Sequence, residues 1–237
     1  MTLARYLARL GYGSRRDMEA LLRDRRVTDP AGHPLGDGPV PPHETIRVDG
    51  APLDPPQGSI ILLHKPVGYV CSTSDRPPLV YDLLPPRFLN RDPVMAPVGR
   101  LDADTSGALL LTDDGQLNHR LTSPRSHLPK RYRVTLAEPL ASDAPSRLAA
   151  GTLVLRGEDR PLAPAVITLL GPCDARVTIT EGRYHQVRRM FAAVGNHVTA
   201  LHRESIGSIE IGPLPPGSWR PLTDDERASL RAARGLR

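Results

Sequence analysis

Residues 98–115, VGRLDADTSGALLLTDDG, combine charged side chains, a short polar segment and an apolar run. Arg100 and Asp102 are two residues apart, so an extended backbone points both side chains in the same direction. The polar residues 104–107 favour a tight loop, and the apolar residues 108–111 predict a buried strand. A carboxylate held in a loop against a rigid strand, beside a guanidinium, is a common way to present a reactive acid. Asp102 is therefore the candidate catalytic residue.

The same segment admits other interpretations. Asp, Thr, Ser and Gly before a strand often form an ordinary turn. The letters DADT suggest the DxDxT motif of aspartate-nucleophile phosphatases, but there the apolar strand precedes the first aspartate, whereas here it follows. A metal-dependent nuclease would use Asp102, Asp104, Asp113 and Asp114, and the sequence offers no further acidic cluster to complete an oxygen-ligand site.

The elements that must position this segment follow from periodicity. Residues 60–63, 130–136, 165–170 and 175–180 predict strands. Short helices lie between them: Leu117 and Leu121 predict one that ends near Pro124, and a second carries an apolar face at Val187, Met190, Phe191 and Val194. Strands interleaved irregularly with short helices favour an α+β fold over repeated βαβ units.

The N-terminal region is basic, with seven arginines against three acids in residues 1–26. Apolar residues at i, i+3, i+4 and i+7 predict a helix over residues 3–10, and Ser14 with Asp17 predicts a capped second helix. Strand-like pieces follow from Val27, around a Pro- and Gly-rich loop. The Pro-rich residues 54–58 predict a flexible joint to the rest of the chain.

This region resembles the S4-type RNA-binding module in SRRDMEALLRDRRV and the later IRVDG. The resemblance implies a small α/β module over residues 1–54 that contacts the phosphates of paired RNA and reads it largely by shape. The arginines that it places on phosphate are Arg15, Arg16, Arg23, Arg25 and Arg26.

Four segments, HKPVGYV, GRLDADTSG, KRYRV and EGRYHQVRRMFAAVGNHV, occur in the order in which similar motifs occur in pseudouridine synthases. The resemblance implies a catalytic domain over residues 55–237, with a long mixed, mainly antiparallel sheet flanked by helices. It places Asp102 at the catalytic aspartate, Tyr132 where the target base stacks, and Arg188 where a basic residue pairs with that aspartate. Arg100, Lys65 and Lys130 are expected to contact the RNA.

The reaction implied by this resemblance breaks the N1–C1′ bond of uridine, turns the uracil and joins C5 to C1′. It involves no oxidation, reduction or hydrolysis, so it demands no cofactor and no metal. The carboxylate either adds to C1′ or removes the 2′ proton, and the sequence leaves both routes open. Because the base must leave the RNA stack, something must also fill the gap, for which Arg100 is the candidate.

The substrate inferred from the sequence is small-subunit ribosomal RNA or a small-subunit assembly intermediate. RYHQVRRM resembles the small-subunit branch of the family, whereas large-subunit relatives tend to carry Asn-Arg in place of Tyr184-His185. Large-subunit RNA is the alternative substrate. An inert RNA-binding or ribosome-assembly protein is the alternative function, and such a protein would need neither Asp102 nor Arg188.

Composition agrees with an RNA partner, since the net charge is +5 over 237 residues. Two cysteines do not make a disulfide framework, and no apolar run approaches the ~20 residues of a membrane span. These features predict a soluble, cytoplasmic protein, which we expect to be a monomer.

Overall fold

A computed structural model describes residues 1–73, 76, 78–123 and 126–232, which form six α-helices and twelve strands. The helices are α1 (Leu3–Arg9), α2 (Arg15–Arg23), α3 (Gly115–Thr122), α4 (Ala144–Ala149), α5 (Gln186–Ala193) and α6 (Asp224–Ala232). The strands are β1 (Val27–Thr28), β2 (Arg47–Val48), β3 (Ala51–Pro52), β4 (Ile60–Lys65), β5 (Ala96–Pro97), β6 (Thr105–Thr112), β7 (Lys130–Leu136), β8 (Val166–Gly171), β9 (Asp174–Ile179), β10 (Val198–Ile206), β11 (Ile209–Glu210) and β12 (Trp219–Pro221). Among these helices, none is long and apolar enough to cross a bilayer. The predicted end of α3 near Pro124 lies outside the described residues.

Nine strands form one sheet in the order β12-β4-β6-β10-β7-β9-β8, with β5 on β6 and β11 on β10. Strands β6 and β10 run parallel, and the other pairs in the sheet are antiparallel. The α+β fold with a long mixed, mainly antiparallel sheet, expected from the sequence, is confirmed.

The sheet is apolar on both faces in its centre, because β4 and β6 carry continuous apolar runs instead of alternating ones. Strand side chains of one parity, including Leu63, Leu109, Val134 and Val177, form one core with Phe191 of α5. Strand side chains of the other parity, including Leu62 and Leu110, form a second core with Leu117 and Leu121 of α3 and Leu230 of α6. The predicted apolar face of α5 is buried against the first of these cores, as the periodicity requires.

Strand β6 begins earlier than the sequence predicts. Residues 104–107 were expected to form a loop, but Thr105 already belongs to the strand. Pairing with β4 on one side and β10 on the other overrides the weak strand preference of these residues. Gly107 (φ +113) pairs with Arg203, where a Cβ atom would lie 2.2 Å from the Arg203 carbonyl oxygen. Glycine therefore permits the parallel β6–β10 contact, which brings the Asp102 loop to the middle of the sheet.

The N-terminal residues build a separate small core from α1, α2 and the antiparallel strands β1, β2 and β3. The predicted capping box is present: the Ser14 hydroxyl accepts from the Asp17 amide, and the Asp17 carboxylate accepts from the Ser14 amide. Both helices begin and end close to where the apolar periodicity predicted.

The joint between this core and the large sheet carries polar contacts that the sequence does not predict. Arg91 is buried, lies 2.9 Å from Asp113, and donates to the carbonyl of Pro55 within the linker. Arg87 pairs with Asp54 at 2.6 Å. The proline-rich composition does not reveal these charged partners, because they are distant in sequence, and the mobility of the joint stays a prediction.

Candidate active site

The loop that carries Asp102 is held from below by Lys65 at the end of β4. The Lys65 side chain is fully buried, and its Nζ donates to the carbonyl oxygens of Asp102 (3.0 Å) and Thr105 (2.8 Å), and to those of Pro66 and Ala103. Burial lowers the pKa of Lys65, while the acidic groups nearby oppose that shift. The prediction that Lys65 contacts RNA is wrong, because its ammonium is enclosed by the carbonyls of the loop that it supports.

Asp102 opens onto a cavity of about 760 Å³ on the α5 face of the sheet. Its side chain is 36 % exposed, so a ligand in the cavity can reach the carboxylate. The cavity wall includes Arg100, Lys130, Tyr132, Tyr184, His185 and Arg203. Residues from three separate sequence motifs therefore meet at Asp102.

The His185 imidazole contacts the Asp102 carboxylate. Its Nε2 lies 3.3 Å from Asp102 Oδ1, which is hydrogen-bonding range when Nε2 carries a proton. His185 is the N-cap of α5 and adopts a left-handed backbone (φ 48, ψ 32), which is uncommon for a residue other than glycine. Such strain is found preferentially at functional sites. Sequence reasoning missed this contact, since it depends on the unusual backbone before α5.

Arg188 does not pair with Asp102, and this prediction is wrong. Its Nη2 lies 2.9 Å from the carboxylate of Asp104, and its Nη1 donates to the Val198 carbonyl at 2.8 Å. The left-handed turn at His185 places that ring beside Asp102. Arg188, one helical turn after His185, reaches Asp104 instead, two residues after Asp102 in the loop. Arg188 thus holds the loop from the α5 side, opposite Lys65.

Tyr132 lies inside the cavity, 7 % exposed, beside a buried arginine that the sequence analysis did not identify. Arg203 sits opposite Tyr132 in the β7–β10 pair, with its Nη1 3.5 Å from the tyrosine hydroxyl and its guanidinium 6.0 Å from the ring centre. Its Nε donates to the Ala108 carbonyl at 2.7 Å, and its Nη2 is buried with no hydrogen-bond partner among the described residues. The alternation along β10 could have indicated this position, because Arg203 is two residues after Leu201 and faces the same side of the strand.

Lys130 begins the strand that carries Tyr132. Its Nζ donates to the Leu128 carbonyl at 3.1 Å and the side chain lines the cavity. Burial, together with the charge of Arg203, lowers the pKa of Lys130 to about 8. Lys130 is therefore an ammonium that can lose its proton close to neutral pH.

Residues 59–193 match the family model described as RNA pseudouridylate synthase. The chain belongs to this family. It is 48% identical over 196 residues to Ribosomal small subunit pseudouridine synthase A of Escherichia coli (strain K12), covering 80% of this chain and 81% of the relative. The protein of the same name from Yersinia pestis is 44% identical over 238 residues, covering 98% of this chain and 99% of the relative.

The fold of this pseudouridylate synthase is also similar to a solved one. A crystal structure of a pseudouridylate synthase superposes with a TM-score of 0.68 at 37% identity, over 97% of this chain and 99% of the other. The similarity thus extends over both the N-terminal module and the large sheet.

The five N-terminal arginines predicted to contact RNA are exposed, and three have acidic neighbours. Those three pairs are Arg15–Glu19 at 2.9 Å, Arg23–Asp24 at 3.9 Å and Arg26–Asp49 at 2.7 Å. Arg100 is exposed at the cavity. Exposure leaves these side chains available to phosphate, and their contact with RNA stays a prediction.

The acids of the nuclease alternative do not gather at one site. Asp113 is buried against Arg91 and accepts from the Gly58 amide, while Asp114 caps α3. In the described ranges, no group of three or more His, Cys, Asp or Glu residues is arranged to hold a metal ion.

Proposed function

We propose that this chain isomerises a uridine of small-subunit ribosomal RNA to pseudouridine, with Asp102 as the catalytic carboxylate. Two close relatives are named for small-subunit activity, and their similarity supports the same substrate class. The observation that carries the proposal is the placement of Asp102 at a cavity whose wall also holds Tyr132 and several basic side chains. An inert RNA-binding protein would have no use for an accessible carboxylate in that position.

The reaction breaks N1–C1′, forms C5–C1′, and moves one proton, which leaves C5 while N1 gains one. Asp102 either adds to C1′ or removes the 2′ proton, and both routes need the carboxylate in a fixed place. Lys65 holds the backbone of this loop from one side and Arg188 from the other. His185, when Nε2 is protonated, orients one oxygen and leaves the other for the sugar.

Tyr132 and its neighbours bind the target base in this proposal. A uridine turned out of the RNA stacks on Tyr132, while Arg203 fixes that ring from behind. Lys130 contacts the RNA with its ammonium, and Arg100 either fills the gap in the helix or contacts a phosphate. These roles match the burial of Tyr132 and the exposure of Arg100.

Residues 1–54 serve in this proposal as an RNA-binding module joined to a catalytic domain over residues 55–237. The arginines on α2 and after it supply phosphate contacts, and the substrate is either the free RNA or a small-subunit assembly intermediate. The protein acts as a monomer in the cytoplasm, where its free cysteines, Cys71 and Cys173, need no partner. Light scattering of the purified chain tests the monomer, and a mass of twice the chain would exclude it.

Mapping pseudouridines in ribosomal RNA tests the activity, with and without the purified enzyme. The Asp102→Asn variant is expected to bind RNA with unchanged affinity and to form no pseudouridine, because the amide keeps the shape but loses the charge. Asp104→Asn is the matched control, since it removes the same charge two residues away and is expected to lose only part of the activity. Pseudouridine formed by Asp102→Asn, or sites confined to large-subunit RNA, would contradict the proposal.

A further inference from the structure

Tyr184 presents an aromatic ring to solvent at the rim of the cavity. The chain contains six Tyr, two Phe and one Trp, all within the described ranges. Eight of them are buried or half-buried, whereas Tyr184 is 71 % exposed. In a chain with so few aromatic residues, the exposed ring lies on the wall of the cavity that also contains Asp102, and packing does not explain this position.

The ring is held in place instead of left to move. It stacks on His185 with ring centres 3.8 Å apart and planes 18° apart. Arg189 Nη1 donates to the Tyr184 carbonyl at 3.1 Å, and the buried Gln186 accepts from the Arg183 amide at 2.9 Å. One face of the Tyr184 ring is therefore covered by histidine on a fixed backbone, and the opposite face is open.

The backbone around this stack is tied to a neighbouring loop. Arg183 donates to the carbonyls of Arg160 (2.8 Å) and Pro161 (2.6 Å), and Glu158 pairs with Arg189 at 2.9 Å. A preorganised ring loses little conformational entropy when a flat ligand stacks on it. The open face is thus suited to a planar aromatic ligand.

The charge of the surroundings fits a nucleotide. Among the described residues that line the cavity, six Lys or Arg side chains stand against four Asp or Glu. Single-stranded nucleic acid is held by this combination of basic groups for the backbone and aromatic rings for the bases.

We propose that the Tyr184–His185 stack is a platform for the base of a nucleotide adjacent to the target uridine. The inference rests on the proposed function and extends it to a second contact with the RNA. Tyr132 lies inside the cavity and Tyr184 at its rim, so one strand can place the target base on the first and its neighbour on the second.

Steady-state kinetics on ribosomal RNA test the platform. Tyr184→Ala is expected to raise KM about tenfold to a hundredfold, the range that loss of one stacked base implies, with kcat changed less than about threefold. Tyr184→Phe keeps the ring and is expected to match the wild type. Leu169→Ala is the matched control, since Leu169 is an exposed apolar residue on β8 that does not line the cavity. An unchanged KM in Tyr184→Ala would overturn the platform, as would an equal loss in Tyr184→Phe.

A binding assay tests the platform without measuring turnover. The probe is a single-stranded decamer of uridines with 2-aminopurine in the middle, whose fluorescence falls when the base stacks. Wild type and Tyr184→Phe are expected to quench the fluorescence of this probe. Tyr184→Ala is expected to quench it less and to bind the probe about tenfold more weakly. The salt dependence of binding should stay the same, because no phosphate contact is lost. Equal quenching by Tyr184→Ala refutes the platform even when Asp102→Asn confirms the activity. Quenching that depends on Tyr184 in a protein that forms no pseudouridine would instead refute only the proposed function.

Discussion

Replacing Lys65 with methionine removes one buried ammonium and keeps most of the side-chain volume. The lost Nζ serves four carbonyl oxygens, those of Pro66, Asp102, Ala103 and Thr105, at 2.8 to 3.4 Å. Two of these acceptors keep another donor, because Thr105 N donates to the Asp102 carbonyl and Gly68 N to the Ala103 carbonyl. The substitution also removes the charged donor of the Thr105 carbonyl, at 2.8 Å, and of the half-buried Pro66 carbonyl, at 3.1 Å.

The expected cost follows from those two bonds. A hydrogen bond to a charged group contributes about 1.5–3 kcal/mol, so two amount to about 3–6 kcal/mol. Relief from burying an ammonium offsets part of this loss, and we expect a net decrease of about 3 kcal/mol in the free energy of unfolding. The Asp102 loop also loses its support from below. Since a displacement of about 1 Å can reduce turnover roughly a hundredfold, kcat should fall by about that factor.

Urea unfolding followed by circular dichroism measures the stability, and pseudouridine formation measures kcat. Lys130→Met is the matched control, because it removes the other lysine of the chain. Among the described residues, its Nζ donates to one carbonyl, and burial lowers its pKa to about 8. The free energy of unfolding of Lys130→Met should decrease by less than about 1 kcal/mol, because a poorly solvated charge contributes little net stability. If the free energy of unfolding of Lys65→Met is within about 1 kcal/mol of the wild-type value and kcat is unchanged, Lys65 does not support the Asp102 loop.

Three further predictions concern the cavity, the sheet and the N-terminal module. Because burial lowers the pKa of Lys130 to about 8, the kcat/KM of the wild type should fall as the pH rises from 7 to 9. In Lys130→Arg, whose guanidinium stays protonated, kcat/KM should stay flat through pH 8. The same pH profile in both proteins would show that Lys130 does not contact the RNA. Gly107→Ala should destabilise the fold by about 3 kcal/mol or more in urea unfolding, because its Cβ would meet the Arg203 carbonyl at 2.2 Å and φ is +113; wild-type stability would contradict the observed β6–β10 contact. The double variant Arg16→Gln, Arg25→Gln should weaken RNA binding and reduce the slope of log K against log salt by roughly 0.7–0.9 per arginine; a slope equal to that of the wild type would show that neither arginine touches phosphate.

Much of the fold could be predicted from local pattern. The apolar faces of α1, α2 and α5, the Ser14–Asp17 cap and the strands β4, β7, β8 and β9 lie where periodicity and turn residues placed them. Each depends on residues a few positions apart, so a short stretch of sequence contains the whole signal. The early start of β6 was missed because its partners, β4 and β10, are distant in sequence.

The contacts of the candidate site were predictable only in part. Sequence reasoning selected Asp102, Tyr132 and Lys130, and the structure places all three at one cavity. It assigned Arg188 as the partner of Asp102, whereas His185 contacts that carboxylate, because the left-handed backbone of His185 redirects the start of α5. It also missed Arg203, whose inward position becomes significant only once β7 is paired beside β10.

The order of the motifs, the acid at position 102, the amphipathic faces and the basic N-terminal region can all be read from residue types alone. These properties reside in residue types and short spacings, which do not change when the chain folds. The folded chain was needed to show that Lys65 lies under the loop, that Arg188 holds Asp104, and that Arg91 contacts Asp113 near the joint. Each of these contacts joins residues at least 22 positions apart, up to 84 for Arg188 with Asp104. Strand register and backbone conformation choose among the possible partners at such separations, and local patterns do not contain that choice.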